Sequence, residues 1–332
     1  MNVALLAAAL LVGCLLAVQS SVNLQLNGAV KTPYGASTVQ LSVATILLAI
    51  VALAAGTIGA VSLVSDVTWW HLLGGLASPL YITSGILLFP RLGALAAVGL
   101  FVTGQMFASL ALDLFGLIGI PREPLSIGIV LGAIAVLVGI TMIIRQPAAK
   151  PVAPSPAAQP DAQPAGKSLG AMVKPASPVG VGRIGWIILG IVAGAVLPIQ
   201  GAVNAQLRAE LKAPITVAMI SFIVATITIA IVLLVLLALR RTPTPQFKPL
   251  ARMPWWGWLG GACAAAYVTA TFLLIPEIGA ATTVALTVTG QQLASAVIDG
   301  FGLFRMPKRP LTTRRITGLA LLIAGSILVQ LA

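Results

Sequence analysis

Uncharged apolar runs of about 20 residues, the length of α-helix that crosses the hydrocarbon of a bilayer, recur along almost the whole of this chain. Only 8% of its 332 residues are charged and 59% are hydrophobic, whereas a soluble fold needs about a quarter charged to cover its surface. The chain is therefore expected to be an all-α integral membrane protein. Ten runs stand out, near 3–24, 36–57, 69–89, 93–116 and 126–144, then near 184–205, 215–239, 255–275, 279–303 and 316–332. The first is read as a spanning helix although Leu11-Val12-Gly13-Cys14 has the look of a lipoprotein cleavage box. A secretory signal begins with a basic segment, Met1-Asn2 brings no charged side chain, and the same stretch returns deep in the chain.

That return is an internal duplication. Shifted by 181 positions, Gly13–Leu53 is identical to the second set at 17 of 41 positions, including Gln19/Gln200, Asn23/Asn204, Gln25/Gln206, Lys31/Lys212 and Pro33/Pro214. Shifted by 186, residues 69–125 match 255–311 at 27 of 57 positions, carrying Tyr81/Tyr267, Gln105/Gln291, Ser109/Ser295 and Asp113/Asp299. Between the sets lies a stretch rich in Pro and Ala that can bury little apolar surface. The expected organisation is a first five-helix repeat over 1–145, a disordered linker over 146–182 and a second five-helix repeat over 183–332.

Five is odd, so the second copy must enter the membrane from the opposite side, making the repeats antiparallel. The charges agree. Of the 19 Lys and Arg residues, 16 fall on the side that holds the linker and 3 (Arg122, Arg208 and Lys212) on the other. Cytoplasmic loops carry the Lys/Arg excess, so the linker is expected in the cytoplasm and both termini outside. The same placement explains the net charge of +12 without nucleic acid, because the basic residues flank spans and form no patch.

The strings Val18-Gln19…Asn23-Leu24-Gln25-Leu26, Tyr267-Val268-Thr269…Pro276-Glu277-Ile278-Gly279 and Thr289-Gly290-Gln291…Asp299-Gly300-Phe301-Gly302-Leu303 resemble the YdcZ-like family of the drug/metabolite transporter superfamily, in its fused two-domain form. The likeness covers both halves and omits the linker and the chain ends. It implies a bacterial inner-membrane transporter, an exporter, with antiparallel domains around a central site. Better-known relatives of the superfamily place a glutamate in the first helix; the runs at 3–24 and 184–205 contain none.

Polar side chains at membrane depth face the bundle interior. Gln19 and Asn23 share one helix face at spacing four, repeated by Gln200 and Asn204. Gln105, Ser109 and Asp113 share another, repeated by Gln291, Ser295 and Asp299. The expected substrate-binding set is Gln19, Asn23, Gln105, Gln200, Asn204 and Gln291, with Tyr81 and Tyr267 as further wall. Helix–helix hydrogen bonding is the competing role for the amides and hydroxyls, and core packing for the tyrosines. Asp113 and Asp299 fall toward opposite faces and are expected to gate or to couple a proton or other ion. Lys and Arg after Asp299 (Arg305, Lys308 and Arg309) are its expected partners. His71, after two tryptophans, is expected at the headgroups.

No catalytic residues are expected. One His, no cluster of metal ligands and no nucleotide-binding glycine loop argue against an enzyme, a cofactor and a metal site. Cys14 and Cys263 lie in apolar runs, where a lone thiol acts as a small apolar group. The resemblance implies an exporter of a small drug-like molecule or metabolite. Without a nucleotide motif its transport is expected to be secondary, by alternating access at the interface of the two antiparallel repeats. The expected partners are that substrate, the bilayer and a coupling proton or other ion. A passive channel or a non-transporting membrane subunit is the alternative.

Overall fold

The computed structural model describes residues 3–120, 122, 124–145, 182–278 and 280–331. The expected linker, apart from Gly182, lies outside them. Among the described residues ten α-helices follow in order: α1 (Val3–Val30), α2 (Pro33–Ala54), α3 (Ser78–Leu92), α4 (Ala94–Phe115), α5 (Ile127–Ile144), α6 (Arg183–Leu211), α7 (Pro214–Ala238), α8 (Leu259–Ile278), α9 (Ala280–Phe301) and α10 (Thr313–Leu331). Among the described residues, seven spans are long and apolar enough to cross a membrane: α1, α2, Trp69–Leu92, α4, α5, α6 and α7. At 1.5 Å per residue, α8, α9 and α10 reach about 28–33 Å with 20, 22 and 19 residues.

Two boundaries differ from the hydropathy pattern, each in both halves. Helices α1 and α6 continue past the apolar run to Val30 and Leu211. They stop only at Lys31 and Lys212, both left-handed (φ 65° and 52°), with Pro33 and Pro214 opening the next helix. Polar Asn, Gln, Arg and Glu end hydropathy but not helicity, whereas a left-handed residue followed by Pro ends the helix itself. The third and eighth runs begin as 3-10 segments, Trp69–Ala77 and Trp255–Trp258, before α3 and α8 take over.

The helices pack reciprocally. Helix α1 lies on α9 and α8, while α6 lies on α4 and α3; α2 pairs with α7 and α5 with α10. The closest approaches use glycine, whose missing Cβ lets backbones meet. A side chain at Gly13 would strike the Thr287 carbonyl, and one at Gly290 the Leu10 carbonyl. The same arrangement returns as Gly194 against Phe101 and Gly104 against Ile191. In the α5–α10 pair Gly132 faces Gly325 and Gly139 faces Gly318, so these helices run antiparallel.

Hydrogen bonds repeat in the same way. Gln25 Nε2 donates to the Phe304 carbonyl at 3.1 Å, and Gln206 Nε2 to the Ile118 carbonyl at 3.0 Å. Between α2 and α7, Thr45 and Thr226 touch hydroxyl to hydroxyl at 3.0 Å. The α2 start meets the α7 end at Thr32···Thr242, 2.8 Å, while Thr216 at the α7 start donates to the Thr57 carbonyl, 2.7 Å, beyond the α2 end.

The first two turns of α4 lie within the core. Ala94, Leu95, Ala97, Val98 and Phe101 are fully buried, and Phe89 of α3 joins them.

Candidate functional site

A cavity of about 500 Å³ lies among α1, α3, α4, α6, α8, α9 and the end of α10. Seven of the eight side chains expected to bind substrate line it: Gln19, Tyr81, Gln105, Gln200, Asn204, Tyr267 and Gln291. Both halves supply an amide from their first helix, and both supply one from their fourth.

The eighth, Asn23, is buried away from the cavity, its Oδ1 seated against Gly260 at the start of α8. Asn204 makes the matching contact with Gly74 and lines the cavity as well. Ser109 is in the wall; Ser295 is fully buried elsewhere and donates to the Gln292 carbonyl at 2.7 Å.

The amides are held differently in the two halves. Gln200 Oε1 accepts from Ser78 Oγ at 3.0 Å, and both Gln200 Nε2 (3.4 Å) and Asn204 Nδ2 (3.2 Å) reach Ser221 Oγ. Gln291 Nε2 donates to the Tyr81 hydroxyl at 2.9 Å, and the Tyr81 ring rests on Phe101 with centroids 4.7 Å apart. In the first half, Gln19 Oε1 and Gln105 Nε2 are buried with no hydrogen-bond partner among the described residues.

The cavity extends toward the C-terminal ends of α4, α6 and α10, at Leu112, Arg208 and Gln330. At its other end the lining stops on α4 at Val102, about 12 Å of helix short of Ala94. That interval is the buried start of α4, and beyond it sits Asp299.

Asp299 is wholly buried. Its carboxylate accepts from the N–H groups of Ala94 (2.7 Å) and Leu95 (3.2 Å), so it caps α4, where the helix dipole favours negative charge. It also pairs with Arg315 of α10 at 2.6 Å. Arg309 donates to the carbonyls of Leu92 (2.9 Å) and Arg91 (3.2 Å) across the same corner, and its own N–H reaches the Asp299 carbonyl at 2.7 Å. One acid thereby ties α9, α10 and the α3–α4 corner together. The close ion pair is with Arg315, while Arg309, one of the three expected partners, interacts electrostatically with Asp299 from the same corner. Phe304 and Arg305 are both left-handed (φ 54° and 61°), and this reversal brings the first turn of α10 back over the end of α9.

Asp113 is half-buried at the other end of α4. At the 186-residue shift, the positions of Arg309 and Arg315 hold Glu123 and Ile129, so the two acids lie in unlike surroundings. His71 is buried against α6, with Nδ1 3.1 Å from Glu210 Oε1 and Thr68 Oγ1 donating to the same oxygen at 3.1 Å. Trp69, 71% exposed, takes the outward position instead.

Ser78, Thr283, Thr287, Ser326, Gln330 and Arg208 also stand in the wall, outside the set expected from the sequence. Ser78, Thr283 and Thr287 left one signal in common: each is a hydroxyl where the other half has an apolar residue, Ala264, Ala97 and Phe101 respectively.

The family described as "Putative inner membrane exporter, YdcZ" matches residues 4–142 and 185–328. The inner membrane protein YdcZ of Escherichia coli (strain K12) is 33% identical over 91 residues, 27% of this chain and 60% of that protein. The match thus spans less than two thirds of that relative. A crystal structure of a protein at 15% identity superposes over 97% of both chains with a TM-score of 0.53, a likeness of fold alone.

Proposed function

The chain belongs to the YdcZ family of inner-membrane exporters, and on that premise we propose that it is a secondary transporter carrying a small drug-like molecule or metabolite outward. The substrate site is the cavity, and it is exposed alternately by rocking of two antiparallel five-helix repeats, 1–145 and 183–332. The reciprocal glycine contacts and the Thr45–Thr226 contact support the inverted arrangement, since a position that meets its own copy lies on a two-fold axis. Transporter sites built from such repeats lie at their interface near the midplane.

The observation that carries this reading is the convergence of duplicated amides, Gln19 with Gln200 and Gln105 with Gln291, on one cavity. The cavity is closed on the Asp299 side by packed α4, which favours a carrier over a passive pore. The Lys/Arg distribution supports a cytoplasmic position for that closed side and for the linker. Asp299 is then the cytoplasmic latch, Asp113 its counterpart outside, and both are the candidate ion-coupling groups.

Purified protein reconstituted in liposomes, given a metabolite mixture and an imposed pH gradient, tests the reading. The expected result is accumulation of a solute against its gradient, lost in Gln105→Leu and Gln291→Leu. Equilibration without accumulation would make the protein a pore.

A further inference from the structure

We propose that the substrate bears, on an apolar body, an uncharged polar group offering both a hydrogen-bond donor and an acceptor, of the carboxamide type, and that this group docks on Gln19 and Gln105. The inference rests on the cavity being the transport site.

The first support is the pair of unpartnered amide atoms. Gln19 is 3% exposed, lines the cavity, and its Oε1 has no partner among the described residues; Gln105 is half-buried in the same wall, and its Nε2 is a buried atom that likewise has no partner among them. Their duplicates are satisfied from within the protein, Gln200 by Ser78 and Gln291 by Tyr81. The sequence gives a reason for half of this difference, because the position matching Ser78 is Ala264 and offers Gln19 no hydroxyl. Buried polar atoms in native folds find partners, and here an incoming ligand can supply them. An acceptor at Gln19 calls for a ligand N–H or O–H, and a donor at Gln105 calls for a ligand carbonyl or hydroxyl oxygen.

The second support is charge. No carboxylate is among the residues described as lining the cavity. The lining guanidinium, Arg208, lies eight residues beyond Gln200 on α6, about 12 Å toward the mouth. An ammonium or carboxylate seated at Gln19 would leave water with no facing counter-charge, which disfavours it strongly. A carboxamide meets both orphaned atoms and carries no charge.

Matched probes decide the matter: hexanamide, hexylammonium and hexanoate, with benzamide, benzylammonium and benzoate as a second set. The unfolding midpoint of the purified full chain is followed against each, since binding to the native state raises it. The expected result is stabilisation by the amides at concentrations where the charged analogues have no effect. Gln19→Leu and Gln105→Leu should each weaken the amide at least tenfold. Ala264→Ser should weaken it too, by giving Gln19 an internal partner. A charged analogue that stabilises better than its amide, in a manner lost in both glutamine variants, overturns the substrate class and leaves the cavity as the site. Stabilisation indifferent to both glutamines removes the cavity reading as well. No response to either amide also counts against the proposal.

Discussion

Asp299 and Arg315 face each other at 2.6 Å, and the pair is buried where the start of α4 meets the ends of α9 and the α3–α4 corner. With the Ala94 and Leu95 N–H groups on the same carboxylate, separating α9 from α4 means breaking a charged hydrogen-bond cluster as a unit. That all-or-none character suits a latch.

Removing one member leaves a buried charge without its partner, which costs about 3–5 kcal/mol. Arg315→Met is therefore expected to lower unfolding stability in detergent by that order. Asp299→Asn/Arg315→Met should recover most of the loss. A double variant as unstable as the worse single one would show that the pair is not the interaction at stake.

Asp→Asn at each acid tests ion coupling. Proton uptake driven by a transported probe should fall sharply in Asp299→Asn and be absent from Asp113→Asn/Asp299→Asn reconstituted in liposomes. Full proton movement in the double variant would place the coupling group elsewhere.

The reciprocal glycines predict matched penalties. Gly104→Val and Gly290→Val each drive a side chain into a facing carbonyl, Ile191 and Leu10 respectively, and overpacking of this kind costs about 1–3 kcal/mol. Gly28→Ala, with open space around it, should be neutral or raise stability by up to about 1 kcal/mol through helix propensity. Unequal effects at Gly104 and Gly290 would count against equivalent interfaces.

The duplication made the helix order and most of the cavity wall legible, because an amide repeated at mid-span has few roles other than facing inward. Spacing alone did not fix rotation about the helix: Asn23 shares a face with Gln19, yet its oxygen packs on Gly260. The hydroxyls of Thr287 and Ser326 each bond their own helix backbone, at Val284 (3.1 Å) and Leu322 (2.8 Å), a role that spacing does not separate from lining a cavity. Arg315 was hidden by the turn at Phe304 and Arg305, whose left-handed backbone is not written in residues that ordinarily avoid it.

Alternating access is tested most directly by cysteine accessibility in oriented vesicles. After replacing Cys14 and Cys263, a cysteine at Ser109 sits in the cavity wall and is probed with a membrane-impermeant maleimide from each face. Labelling is expected to be fast from outside and slow from the cytoplasmic face. Asp299→Asn/Arg315→Met should raise the cytoplasmic rate and lower the outside rate together. Equal labelling from both faces, or an unlatched variant that gains cytoplasmic access without losing any from outside, would contradict alternating access.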